Sequence, residues 1–142
     1  CFEEPEIDIN ILVDFNARDD EKYNLMQIGA YGDNRDGLAL FWAEKYINQQ
    51  TYNENKLIIV LSDGVPAHAA DGYYPPVSVK DTANAVKKIT KRGINIIAVA
   101  LDDEGTYYCY DALKEIYPDI ISCNDLKRLT SQLLAVVSKQ LQ

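Results

Sequence analysis

"LIIVLSDGVPAH", Leu57 to His68, decides how the rest of the chain is read. The run from Leu57 to Leu61 is continuous in apolar residues, as in a parallel strand covered on both faces. Ser62-Asp63-Gly64 and then Pro66 interrupt it, so the strand ends in a loop that displays one carboxylate. "INIIAVAL", Ile94 to Leu101, repeats the strand pattern. Between the two, "SVKDTANAVKKITKRG" carries Val79, Ala83, Val86 and Thr90 at helical spacing. Strand, helix and strand in that order imply a right-handed crossover between parallel neighbours.

The same alternation extends in both directions. Toward the amino terminus, "IDINILVDF" from Ile7 to Phe15 reads as a strand, and "YNLMQIGAY" as a short second one. After the turn-rich "GDNRDG", the segment "LALFWAEKYINQQ" places Leu40, Ala43, Tyr46 and Ile47 on one helical face, with Asp36 able to cap it. In the helix before Ile94, Ser78 and Asp81 have capping-box-like spacing, and Gly93 can close it. The basic run Lys87 to Arg92 suits the negative end of that helix's dipole and is read as structural. Toward the carboxyl terminus, "TYYCYDALKEIY" is a helix stopped by Pro118, and "DIISC" a short strand. Leu126, Leu129, Leu133, Val136 and Val137 form the stripe of a last helix that Asn124 can cap. The fold class is α/β, three layers, with a mostly parallel central sheet and helices on both faces. With no internal repeat or linker, residues 1–142 read as a single domain.

Composition excludes several functions. The 142 residues are 47% hydrophobic and 25% charged, which suits a globular core. No apolar run approaches the roughly 20 residues of a membrane span, and "CFEEPEID" is acidic where a signal peptide is basic. A net charge of −8 repels nucleic acid. Three cysteines, Cys1, Cys109 and Cys123, lack C-x-x-C spacing, which points to a reducing, cytoplasmic setting.

In such sheets ligands gather at the carboxyl ends of the strands. Asp63 falls there, as do Asp102 and Asp103 after the second strand and the "DNRDG" loop if it enters its helix from that side. Clustered carboxylates near helix amino termini suit a hard cation such as Mg²⁺. A zinc site lacks ligands, because His68 is the only histidine, and it reads as a solvent-facing loop residue. Ser62 has no G-x-S-x-G elbow, and neither G-x-G-x-x-G nor G-x-x-x-x-G-K-[ST] occurs. Of the tyrosine clusters, "TYYCY" reads as packing, while "GYYPP" fits packing and partner anchoring equally.

"KLIIVLSDGVPAH", "VKDTANAVKKITKRGINIIAVALDD" and "DNRDGLALFWAEKY" together resemble the von Willebrand factor A (vWA) family. The similarity is to its bacterial branch of cobalt-chelatase large accessory subunits and nitric-oxide-reductase activation proteins, over roughly Ile7 to Leu141. The resemblance implies an Mg²⁺-dependent adhesion site in which Asp63 takes the third-loop aspartate position and Asn34 the second-loop threonine position, with Asp36 a neighbouring candidate of this branch. No Asp-x-Ser-x-Ser first loop occurs. The chain therefore resembles the later two-thirds of the family's domain, and "DINILVDFN" matches its second strand. The central first strand is then absent from this chain, which opens the way to dimerisation or strand exchange. If "INILVDF" instead takes the central slot, Asp14 and Asn16 approach the first-loop positions. The isolated chain is expected to bind Mg²⁺ weakly or not at all. The implied function is a non-catalytic docking module working with a MoxR-like AAA+ ATPase and a target enzyme. The alternatives are a metal-free scaffold and an Mg²⁺-dependent phosphoryl-transfer or hydrolytic enzyme using Asp63. For a haloacid-dehalogenase type of enzyme, the nucleophile position holds Leu61.

Overall fold

The computed structural model describes residues 7–27, 29, 33–69, 72–101, 107–123 and 125–140. After a 3-10 helix at Glu21–Gln27 come α1 (Asp36–Gln50), β1 (Lys56–Ser62), α2 (Val77–Lys91), β2 (Ile94–Leu101), α3 (Tyr107–Ile116), β3 (Asp119–Cys123) and α4 (Leu126–Gln140). The strands form a three-stranded, all-parallel sheet in the order β1-β2-β3. Sequential order with right-handed crossovers puts α2 and α3 on one face. α1 packs on α2, and α4 packs on β3 rather than on these helices, which places it on the other face.

Register explains the core. Ile58 pairs with Ile96, Val60 with Ala98, and Ala98 in turn with Ile120, so their side chains share one face. There they meet Leu40 of α1, Val79, Val86 and Ile89 of α2, and Leu113, Ile116 and Tyr117 at the end of α3. Ile97 and Val99 point the other way and are also buried, so β2 is covered on both faces as its sequence implies.

Local signals account for the helices, with corrections. Asp36 is the first residue of α1 rather than its cap, so its charge sits in the first turn at the positive end of the dipole. α2 buries Ser78, Val79, Thr82, Ala85, Val86 and Ile89 along one stripe and closes at Gly93 with φ +90°, a conformation that favours glycine. The capping box is not formed. Ser78 and Asp81 lie inside the helix, and Asp81 instead accepts the Tyr73 hydroxyl at 2.7 Å. At α4, Asn124 lies outside the described residues, and Asp125 accepts the Lys127 amide at 3.0 Å. No helix among the described residues is long and apolar enough to cross a membrane.

The amino-terminal strands are the larger correction. Residues 7–15 form no strand, and Ile11, Val13 and Phe15 are exposed. Strand-like composition is not enough, because an extended segment holds its form only against a partner edge. This one is held by single contacts instead. Asn24 donates to the Leu12 carbonyl at 2.9 Å, and the Phe15 ring lies 6.1 Å from that of Tyr46. In "YNLMQIGAY", Tyr23 to Gln27 belong to the 3-10 helix, while Ile28, Ala30 and Tyr31 lie outside the described residues. Residues 7–15 therefore do not take a central slot beside β1. Among the described residues β1 pairs with β2 alone, and its other edge is free. The expectation that β1 is covered on both faces also fails. Ile59 and Leu61 are 38% and 57% exposed, since no element among the described residues covers that face at the sheet edge.

Candidate functional site

Asp63 stands one residue past β1, and Asn34 and Asp36 stand at the amino end of α1. The two loops are tied together at Asn34, whose amide donates to the Ala67 carbonyl at 2.9 Å while its Oδ1 accepts the Ala67 amide at 3.0 Å. Asp33 adds a third link, accepting the Ala69 amide at 2.6 Å. Ser62 Oγ donates to the Gly64 carbonyl at 2.8 Å and so shapes the turn that carries Asp63. These bonds explain why an Asn-x-Asp-Gly loop and a Ser-Asp-Gly loop, 27 positions apart by the difference between 63 and 36, converge at one rim.

The convergence has an electrostatic signature. Asn34 Nδ2 donates to Asp36 Oδ1 at 2.8 Å. Burial pushes the Asp36 carboxyl above its ordinary value, and the nearby Asp63 charge adds to that, against the opposing pull of the Asn34 bond. Asp36 thus holds its proton more tightly than a free carboxyl. Beneath the rim lies a hollow of about 280 Å³ bounded by Asn34, Asp36, Ser62, Asp63 and Tyr117, running along the free edge of β1 under Ala39 and Ala43 of α1. The Tyr117 hydroxyl has no hydrogen-bond partner among the described residues although its residue is 1% exposed. Burial, with the Asp36 charge behind it, pushes its ionisation upward, so it serves only as a neutral donor or acceptor. A second hollow of about 640 Å³ opens on the other side of the rim, reaching Asp8, Asp33, Arg35 and His68.

Other sequence candidates lie elsewhere. Asp14 accepts the Tyr46 hydroxyl and the Phe15 amide. Tyr46 is ten residues along α1 from Asp36, or about 15 Å at the helical rise. Asp14 and its neighbour Asn16 therefore do not join the rim. Asp102 and Asp103 lie outside the described residues. His68 is half-buried rather than solvent-facing, because its backbone pairs with that of Tyr73 at 2.9 and 3.1 Å. Of "GYYPP", Tyr73 packs inward, under the Arg35 guanidinium at 4.5 Å, while Tyr74 is 48% exposed. Burial and the bond to Asp81 push the Tyr73 hydroxyl up to about 12. Sequence reasoning missed Tyr117 altogether, since only the α3 to β3 connection brings it under the rim.

As a metal site the rim is partial. No group of three or more His, Cys, Asp or Glu able to hold an ion occurs among the described residues. Two carboxylates converge, and Asn34 already uses its side-chain oxygen and nitrogen on Ala67 and Asp36. Mg²⁺ binds through one or two carboxylates with several waters retained, so Asp36 and Asp63 fit part of such a shell but not a closed cage. A cation there competes with a proton that Asp36 binds more tightly than a free carboxyl does.

No family model and no solved structure matches the chain. The chain is similar to an uncharacterized protein of Bacillus subtilis (strain 168), YojO, with 36% identity over 96 residues. The match takes in 66% of this chain and 14% of that protein, so the chain spans a small part of the relative's length.

Proposed function

We propose that the chain is the later part of a vWA-type protein-interaction module and that its rim is a divalent-ion-dependent docking site supplied here only in part. One observation carries this reading: Asn34, Asp36 and Asp63 are brought together at the carboxyl end of an edge strand by the Asn34–Ala67 bonds. Mg²⁺ at the rim supplies a positive charge that a carboxylate of a protein partner can share. Asp63, the exposed carboxylate, faces that partner, and Asp36, half-buried and hydrogen-bonded to Asn34, positions the rim. The free edge of β1 and the hollow beside it give a further strand a place to pair, from a longer parent chain, a second copy or an exchanged segment. By the resemblance, the partners are a MoxR-like AAA+ ATPase and the enzyme it activates, in the cytoplasm, and the domain docks without doing chemistry.

The hydrolytic reading draws on a different observation. Asp36 and Asp63 are neighbouring carboxylates in unequal environments, the pattern from which acid and base roles arise. Two assays on the wild type and Asp63→Ala separate the readings. Mg²⁺-dependent capture of a purified MoxR-like ATPase that disappears in the variant supports docking. Mg²⁺-dependent turnover of p-nitrophenyl phosphate that disappears in the variant supports the enzyme and overturns docking as the function. Indifference of both to Asp63→Ala removes the rim from the account.

A further inference from the structure

The basic run on α2 does two jobs, and the helix dipole explains only one of them. Lys88 and Arg92 turn toward α1: Lys88 lies 6.0 Å and Arg92 5.7 Å from the Phe41 ring. Arg92 also grips Glu44 with two bonds of 2.5 Å. Lys87 and Lys91, four positions apart, share another helical face and turn toward α3. Both are exposed, and neither has a carboxylate within ion-pair distance among the described residues. A groove of about 710 Å³ runs there between α2 and α3. Pro118, exposed, and Ala83, half-buried, supply its apolar lining over a floor of Val86 and Ile116, which are 2% and 3% exposed, and Lys114 of α3 adds a third cation on the facing wall. Lys114 has two contacts, both on its own helix, the Tyr110 ring at 4.3 Å and the exposed Asp111 carboxylate at 3.7 Å, and Glu115 is the one acidic residue among those that line the groove. The groove lies where α2 and α3 end and β2 and β3 begin, at the opposite end of the sheet from Asp63.

We propose that the α2–α3 groove docks an acidic segment of a partner protein that carries an apolar anchor. Charge complementarity selects this occupant. On a chain of net charge −8, three lysines around one apolar channel form a local positive site that a few carboxylates of a short segment can meet. A long polyanion or an anionic bilayer meets the net negative charge of the whole molecule as well, and a flat bilayer does not reach the floor of a groove. The volume falls within the roughly 300–1,000 Å³ typical of sites that enclose one compact ligand, which suits a single anchoring side chain and its neighbours. The inference is independent of the rim.

The test is an NMR titration of the isotope-labelled chain with a short amphipathic peptide that has leucines on one helical face and glutamates on the other. Its lysine-for-glutamate counterpart and phosphatidylserine vesicles serve as comparisons. The expected result is saturable shifts at Lys87, Lys91, Lys114 and Ile116, with affinity reduced about tenfold or more by Lys87→Glu with Lys91→Glu and by added salt. Asp63→Ala leaves the binding unchanged. The lysines are exposed, and Lys114→Glu repeats the test from the facing helix without altering α2. The inference is overturned if the acidic peptide produces no saturable shifts, if its lysine counterpart binds the groove equally well, if the charge reversals leave affinity intact, or if vesicles occupy the groove in preference to the peptide.

Discussion

Gly37 sets how closely α1 approaches α2, and through α1 it sets where Asp36 stands. A methyl group added at Gly37 meets Asp81 Oδ2 at 3.4 Å, Ala85 Cβ at 3.6 Å and Thr82 Cα at 3.6 Å. These are ordinary contacts, so Gly37→Ala fits without displacement. Replacing a helical glycine by alanine gains roughly 0.5–1 kcal/mol, because the unfolded chain loses conformational freedom. Gly37→Ala is therefore neutral to stabilising, by up to about 1 kcal/mol. Gly37→Val places two further carbons beyond that methyl, against the Thr82 backbone and Ala85, and a helix backbone does not yield as a side-chain tip does. Overpacking of this kind costs about 1–3 kcal/mol. Urea unfolding followed by circular dichroism measures both variants, and each kcal/mol moves the thermal midpoint by about 3–4 °C for a chain of this size. Equal stability of Gly37→Val and wild type, or equal damage from alanine and valine, refutes the close approach and the placement of α1 that follows from it.

Three further outcomes follow from the same geometry. Because the Asp36 carboxyl is raised above its ordinary value of 3.8 in the folded state, the stabilisation it brings is full below that value and is lost as pH rises through the folded one. Asp36→Asn is thus the more stable protein at neutral pH and converges with wild type in acid; parallel urea-unfolding curves across pH count against the burial of Asp36. Removing the opposing bond with Asn34→Ala moves the Asp36 titration further up, read by carboxyl-carbon NMR, and an unmoved or lowered titration contradicts the Asn34–Asp36 contact. Ile89, 0% exposed, costs about 3–4 kcal/mol when cut to alanine, whereas Leu61, 57% exposed, costs less than about 1 kcal/mol. Equal losses in chemical denaturation show that the outer face of β1 is covered in solution.

Where the chain repeats a strong period, sequence and structure agree. "KLIIVL", "INIIAVAL" and "DIISC" are the three strands, and the stripes before, between and after them are the helices. Strand character at Ile7 to Phe15 misled because β-branched composition describes a residue's fitness for a sheet, not the presence of an edge to pair with. The capping box at Ser78 misled because Asp81 has a stronger use, as acceptor for a buried tyrosine that arrives from the preceding loop. The rim was legible through the rule that places loops at strand carboxyl ends, which brought Asn34, Asp36 and Asp63 into view together. Their unequal burial was not legible, since it depends on how α1 leans over the edge of β1. The Lys87–Arg92 run was half legible. The dipole argument covers its position at the helix end, but which of its basic residues face Glu44 and Phe41 and which face α3 is decided by packing on both sides of α2.

The docking account is tested most directly by calorimetric titration of Mg²⁺ and Mn²⁺ into this chain and into a chain extended upstream of Cys1, each also as Asp63→Ala. The account predicts clear binding by the longer chain, weak or no binding by this one, and loss of binding in Asp63→Ala. Absence of binding in both chains, or binding that survives Asp63→Ala, contradicts a divalent ion at this rim.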